Sequence, residues 1–303
     1  MTELARRPPR LSPRLSPGAG ATLLVMLSAV GFGLVPLFGR LLAADGLSSP
    51  TIGFLRFAFS LLVMLPFLPR GRAKLKPALL LAGAGATMGI GWTAYLDALQ
   101  ETSVAAVGVV YMTYPLFAVL LARLLLGQRL GVRALLAGGL VLAAALIALS
   151  PAAVPEAQVP ALLSALPAPL AFALVIVVLT GCTHGLTTLE KMAAGMGGAT
   201  LGLLPLAIFR GELLSLPADP GTWLLIAGMI GATAILPQLL YTFAAPRVGP
   251  SRSAMAGSLE LPTMFLVGAL GFGEPIGPAE LAAALLICLA VALAPAVAVP
   301  PPG

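Results

Sequence analysis

Ten apolar runs divide this chain of 303 residues, and no gap between them is long enough to hold a soluble domain. The runs lie at about 20–42, 50–69, 77–99, 102–125, 131–150, 168–189, 197–216, 222–243, 249–271 and 278–298. Each approaches the length that a helix needs to cross roughly 30 Å of hydrocarbon. Lipid offers no partner for a free N–H or C=O, so a single run can cross only as a helix. Charged residues make up 9% of the chain, against about a quarter in a soluble domain. The expected fold is all-α: a polytopic membrane protein of ten transmembrane helices.

Charge orients the runs. With the N-terminus inside, the inner gaps collect Arg6, Arg7, Arg10 and Arg14, then Arg70, Arg72, Lys74 and Lys76, then Arg123, Arg129 and Arg133, then Lys191, and finally Arg247 and Arg252. The outer gaps hold Arg40 and Arg210 beside Asp45, Asp97, Glu101, Glu156, Glu212, Asp219, Glu274 and Glu280. This positive-inside pattern predicts cytoplasmic termini, and a compact chain with this bias fits a bacterial inner membrane. The pI near 9.9 therefore reflects topology and predicts no nucleic-acid partner. The partners expected are the lipid bilayer and a small-molecule substrate. Monomer and homodimer both remain open.

The sequence also repeats itself at an offset of about 146 residues. Tyr95–Pro115 matches Tyr241–Pro262, and Gly127-Gln128 matches Gly273-Glu274. This divides the chain into a tail (1–19), a five-helix repeat (20–150), an Ala- and Pro-rich linker (151–167), a second five-helix repeat (168–298) and a tail (299–303). An odd number of spans per half predicts two inverted repeats, a plan used by many secondary transporters.

Several motifs resemble those of the EamA-type branch of the drug/metabolite transporter superfamily. One is Pro50 followed by Phe54-Leu55-Arg56-Phe57. A second is Tyr95, Ala98, Leu99, Thr102 and Ser103 before the fourth span. A third is a mid-span proline followed by a span end that reads Leu126-Gly127-Gln128 in the first copy and Phe272-Gly273-Glu274 in the second. The resemblance extends over all ten spans and departs from the family pattern at Gln128. It implies a ten-helix carrier with a central cavity that moves amino acids, other small metabolites or drugs.

Glu260 is the leading candidate for function. It lies near the middle of Gly249–Gly271, two residues before Pro262. Insertion scales put a charged residue at mid-helix at about 2.5–3.5 kcal/mol, so such residues are functional by default. Substrate contact, proton exchange and a purely structural hydrogen bond are the readings open for it. In the first repeat, Thr113 stands two residues before Pro115 and is the matching candidate for substrate binding or coupling. Pro115 and Pro262 each remove a backbone donor and so predict a local break. Arg56 could bind a substrate carboxylate bidentately, but it is expected foremost to gate or support, either reaching outward or pairing with Asp45, Asp97 or Glu101. His184, the only histidine, is expected toward the inner part of span six, as a packing residue or a titrating one. Trp92, Tyr111, Tyr114 and Gln238 are candidate cavity groups. Tyr95 and Tyr241, near span ends, read as interface anchors, as do Glu190 and Lys191. The span-three glycines (Gly83, Gly85, Gly89, Gly91) and Gly31, Gly33 and Pro36 read as architecture.

No metal site or cofactor is expected, given one histidine and the lack of a GxxxxGK[ST] loop. No constellation suggests an intramembrane enzyme. The function expected is a secondary transporter moving a small polar metabolite by alternating access, with amino acid export foremost and proton coupling through Glu260. A multidrug or lipophilic-cation exporter of the same fold is the alternative, and a channel or non-transporting scaffold the next.

Overall fold

The structure is a computed structural model that describes residues 17–128, 131–148, 155–209 and 217–293. The two expected tails, apart from 17–19, and residues 151–154 of the linker lie outside the described residues. The described part is helical, with no strand. In order, the helices are α1 (Pro17–Gly33), α2 (Val35–Ala44), α3 (Ser49–Met64), α4 (Arg72–Glu101), α5 (Val104–Tyr111), α6 (Tyr114–Leu126), α7 (Val132–Ala148), α8 (Val159–Ser164), α9 (Pro167–Gly181), α10 (Thr188–Phe209), α11 (Pro220–Met229), α12 (Leu236–Val248), α13 (Pro250–Gly257), α14 (Glu260–Phe272) and α15 (Pro278–Leu293). Among the described residues, eight continuous helical stretches are long and apolar enough to cross a membrane, and Val132–Ile147 and Pro278–Ala290 are shorter apolar helices. Leu124, Leu224 and Leu270 are exposed on the outside, as lipid contact requires.

Prolines set the helix breaks. α1 gives way to α2 before Pro36, α5 to α6 before Pro115, and α13 to α14 before Pro262. A π-helical turn, Ile230–Ile235, precedes Pro237. A proline ring cannot donate to the carbonyl four residues back, so each of these points lacks one helix hydrogen bond. The ends of α6 and α14 are built alike. Gly127 (φ 64°) and Gly273 (φ 68°) adopt the left-handed conformation, and Gln128 N–H and Glu274 N–H turn back to Ala122 O and Gly268 O.

The linker and spans six and seven differ from the sequence expectation, span seven starting at Thr188 rather than residue 197. Residues 151–167, expected as linker, include α8, because Val159-Pro160-Ala161-Leu162-Leu163 is apolar enough to pack. Span six ends at Gly181 rather than residue 189, because Gly185 takes a positive φ of 82°. A capping box then starts α10. Thr187 N–H donates to Glu190 Oε2 at 2.9 Å, and Glu190 N–H donates to Thr187 Oγ1 at 3.3 Å.

α4 lies at the centre and packs on α3, α9 and α10. Its contact with α10 is backbone to backbone. A Cβ at Gly85 or Gly89 would collide with the Gly195 or Ala199 carbonyl, and one at Gly198 or Gly202 would collide with that of Ala82 or Ala86. Gly85 and Gly89 thus serve the close approach expected of span three. Gly91 faces α9, and Gly83 faces open space. α7 and α15 pack on one another at the margin.

Candidate functional site

A stripe of α4, Leu81–Gly85–Met88–Trp92, forms one wall of a cavity enclosed by α1, α2, α3, α5, α9, α10, α12 and α14. These positions are three or four apart and so share one helical face. The centre of a water-sized sphere can explore about 70 Å³ there, where one water needs roughly 10–15 Å³. The wall is mostly apolar and aromatic. Its polar groups are Arg56, Trp92, Tyr111, Lys191, Gln238, Thr242 and Glu260.

Glu260 begins α14 and is 4% exposed. Its carboxyl has no hydrogen-bond or ion-pair partner among the described residues, although Arg56 and all four tyrosines of the chain lie within electrostatic reach. Gly33 of α1 passes close beside it. A Cβ there would press on Thr263 and on the Glu260 carbonyl. α6 and α14 each have 13 residues and begin at Tyr114 and Glu260, so by helix position Tyr114 rather than Thr113 is the counterpart of the acid.

Arg56 does not meet Asp45, Asp97 or Glu101. It is buried, and its Nη2 donates to Thr233 O at 2.6 Å while Nε donates to Thr233 Oγ1 at 3.1 Å. That carbonyl is the one Pro237 frees, four residues on, so the proline supplies the acceptor that holds the guanidinium. The guanidinium also lies over the Trp92 ring at 4.0 Å and the Phe57 ring at 4.8 Å. Asp45 instead accepts from Thr222 Oγ1 at 2.8 Å.

Of the other candidates, Trp92, Tyr111 and Gln238 line the cavity, and Gln238 Nε2 donates to Thr242 Oγ1 at 3.2 Å. Tyr114 lies behind them, with its hydroxyl donating to Ala254 O at 3.1 Å beside the space that Gly257 leaves open. Thr113 sits in the α5–α6 break and donates to Val110 O at 2.8 Å, away from the cavity. Pro115 and Pro262 act on the backbone only. His184 is not in a helix. It occupies the exposed turn after α9, apart from the cavity.

Tyr95 and Tyr241 are not interface anchors. They are 2% and 1% exposed, within an aromatic cluster that seals one end of the cavity. Ring centroids are 5.2 Å apart for Tyr95–Tyr111, 5.5 Å for Tyr111–Tyr114, 4.9 Å for Tyr114–Phe172 and 6.0 Å for Phe172–Tyr241. The Tyr95 and Tyr241 hydroxyls and the Trp92 indole N–H have no partner in the structure among the described residues.

Past this cluster the molecule is tied shut. Arg40 of α2 donates to Leu99 O (3.0 Å) and Thr102 O (2.6 Å) at the end of α4, and to Glu274 Oε1 (2.8 Å). Glu274 in turn accepts from Val104 N–H, the first residue of α5, at 3.0 and 3.1 Å. A cation thus meets the carbonyl end of one helix and an anion the amide end of the next, the favourable sense for both helix dipoles. The sequence singled out neither residue as a pair, and only the repeated Gly-Gln/Gly-Glu span ends pointed there. About 37 Å away along α4, Lys74 Nζ pairs with Glu190 Oε1 at 2.7 Å. Next to Glu190, Lys191 lines the cavity rather than anchoring to an interface. The capping box Thr187-Thr188-Leu189-Glu190 is the signal that places it in the first turns of a helix, just after the boxed glutamate.

The sequence pattern of the EamA-like transporter family matches residues 19–150 and again residues 159–294. The chain is 28% identical over 282 residues to an uncharacterized transporter of Archaeoglobus fulgidus, a match that covers 89% of this chain and 94% of that protein. It also superposes on a chain of known crystal structure with a TM-score of 0.67 at 18% identity, covering 91% of this chain and 98% of the other, a likeness of fold alone. With two copies of the family pattern spanning nearly all of it, this chain belongs to the EamA-like transporter family.

Proposed function

We propose that this membrane transporter is a secondary carrier of ten spans, arranged as two inverted five-helix halves with both termini in the cytoplasm. The charge bias of the gaps and the matched ends of α6 and α14 support that arrangement. In this orientation the basic gap before α4 faces the cytoplasm. The cavity then opens inward, past Lys191, and the Arg40–Glu274 end is the closed outer side.

The solute is a small polar or zwitterionic metabolite, foremost an amino acid or a related compound, moved outward by alternating access in a bacterial inner membrane. Glu260 contacts the solute or exchanges a proton with it. One observation carries this reading: a buried carboxyl with no partner shares a cavity with an arginine whose Nη1 is also without one among the described residues. Buried charges are ordinarily paired, so this pair of open valences is suited to a ligand that carries both signs.

Counterflow in proteoliposomes tests the reading. Vesicles are preloaded with a panel of unlabelled amino acids and related metabolites, and uptake of each labelled partner is followed with and without an imposed pH gradient. We expect saturable exchange of one chemical class, with a gradient response that Glu260→Gln abolishes. Exchange that keeps its rate and its pH dependence in Glu260→Gln would remove Glu260 from the mechanism. Lipophilic cations exchanged in place of metabolites would favour the drug-exporter reading.

A further inference from the structure

The ammonium of Lys191 stands apart from Glu260 and Arg56. It is half-buried, lines the cavity, and has no hydrogen-bond or ion-pair partner among the described residues. The adjacent carboxylate is already engaged, since Glu190 accepts from Lys74 and from Thr187 N–H. Arg247, itself exposed, lies within electrostatic reach and adds to the positive potential.

The way α10 starts does not require a cation at this place. α3 starts in the same manner: Ser48 Oγ accepts from Thr51 N–H at 3.4 Å, as Thr187 Oγ1 accepts from Glu190 N–H. The residue that follows Thr51, in the position of Lys191, is Ile52, which is fully buried. One helix start fills the position with hydrocarbon, and the other puts an ammonium against open space. A lysine serving only as a headgroup anchor would face lipid, whereas this one faces the cavity. Met192 and Met196 continue the wall beside it with soft apolar surface.

We infer that Lys191 receives an anionic oxygen group of the transported solute, the carboxylate of a small organic anion or zwitterion, at the mouth of the cavity. This rests on the carrier reading and narrows it to anions and zwitterions rather than lipophilic cations.

The test is a binding measurement on the full chain in detergent. Trp92 lines the cavity, so a Trp223→Phe background leaves it as the one tryptophan and as the reporter. Its fluorescence is titrated with N-acetyl-leucine (an anion), octanoate (an anion), leucine (a zwitterion) and leucinamide (a cation). We expect at least one anion or zwitterion to bind about ten-fold tighter than leucinamide. Lys191→Gln should weaken that binding about ten-fold, and Lys191→Arg should keep it, as for one charge-assisted hydrogen bond. Equal binding of leucinamide, unchanged binding in Lys191→Gln, or no binding by any anion or zwitterion would each overturn the inference. Because binding is read without transport, the two readings fail separately. Charge-selective binding without counterflow would sink the carrier and keep Lys191. Counterflow with unaltered Lys191→Gln binding would do the reverse.

Discussion

The ends of α6 and α14 share one cap and differ in the residue that follows it. After Gly273, Glu274 reaches the first N–H of α5 and the guanidinium of Arg40. After Gly127, Gln128 is exposed. The counterpart of Val104 as first residue of α13 is Pro250, which has no N–H to offer. The first arrangement ties two helix ends together, and the second leaves them untied. The cavity lies toward the side of Lys74, Glu190 and Lys191 and stops short of the tied end. Where this molecule is closed therefore depends on a few side chains set on a duplicated frame.

Arg40→Ala should disturb the contrast most. It removes three hydrogen bonds and leaves Glu274 partly buried without its cation. We expect a loss of about 2–4 kcal/mol, toward the lower part of the range for breaking a buried pair because both side chains keep some exposure. The readout is the thermal unfolding midpoint in detergent, together with faster labelling of a cysteine placed at Leu99. An unchanged midpoint and labelling rate would mean that the tie does not hold that end closed.

Glu274→Gln should act in the same direction but less strongly, by about 1–2 kcal/mol, since the amide oxygen still accepts from Val104 N–H while the charge is lost. A midpoint as low as that of Arg40→Ala would show that charge, not the hydrogen bond, carries the tie. The smallest effect runs the other way. Gln128→Glu with Pro250→Ala supplies the anion and the N–H that the open end lacks, without a counterpart of Arg40, and should raise the midpoint by an amount equivalent to about 0.5–1 kcal/mol. If it does not, the two ends differ by more than these side chains.

The parts of the site that were legible in the sequence were those in which a residue conflicts with its surroundings. A carboxylate in an apolar run, and prolines within spans, mark Glu260 and the helix breaks without any knowledge of packing. The burial of Tyr95 is not legible in the sequence, because hydropathy measures the length of an apolar run and not what surrounds the helix. α4 has 30 residues, about 45 Å, and its last turns are covered by other helices rather than lipid. His184 reads as part of span six because Gly181 and Cys182 are apolar on average, whereas the positive φ of Gly185 takes the chain out of a helical path. The partner of Arg56 lies 177 residues away, and only the rule that proline frees a carbonyl connects Pro237 to Thr233. Lys191 conflicts with nothing near it in the sequence, and only the capping box Thr187-Thr188-Leu189-Glu190 places it on a helix.

The contact between α4 and α10 has a mechanical meaning. The two backbones touch through glycines on both sides, so neither helix has side chains that can rearrange to let the other slide. Yet α4 comes from the first copy of the duplicated sequence and α10 from the second. The tightest helix contact in this molecule therefore joins the two copies instead of lying within either one.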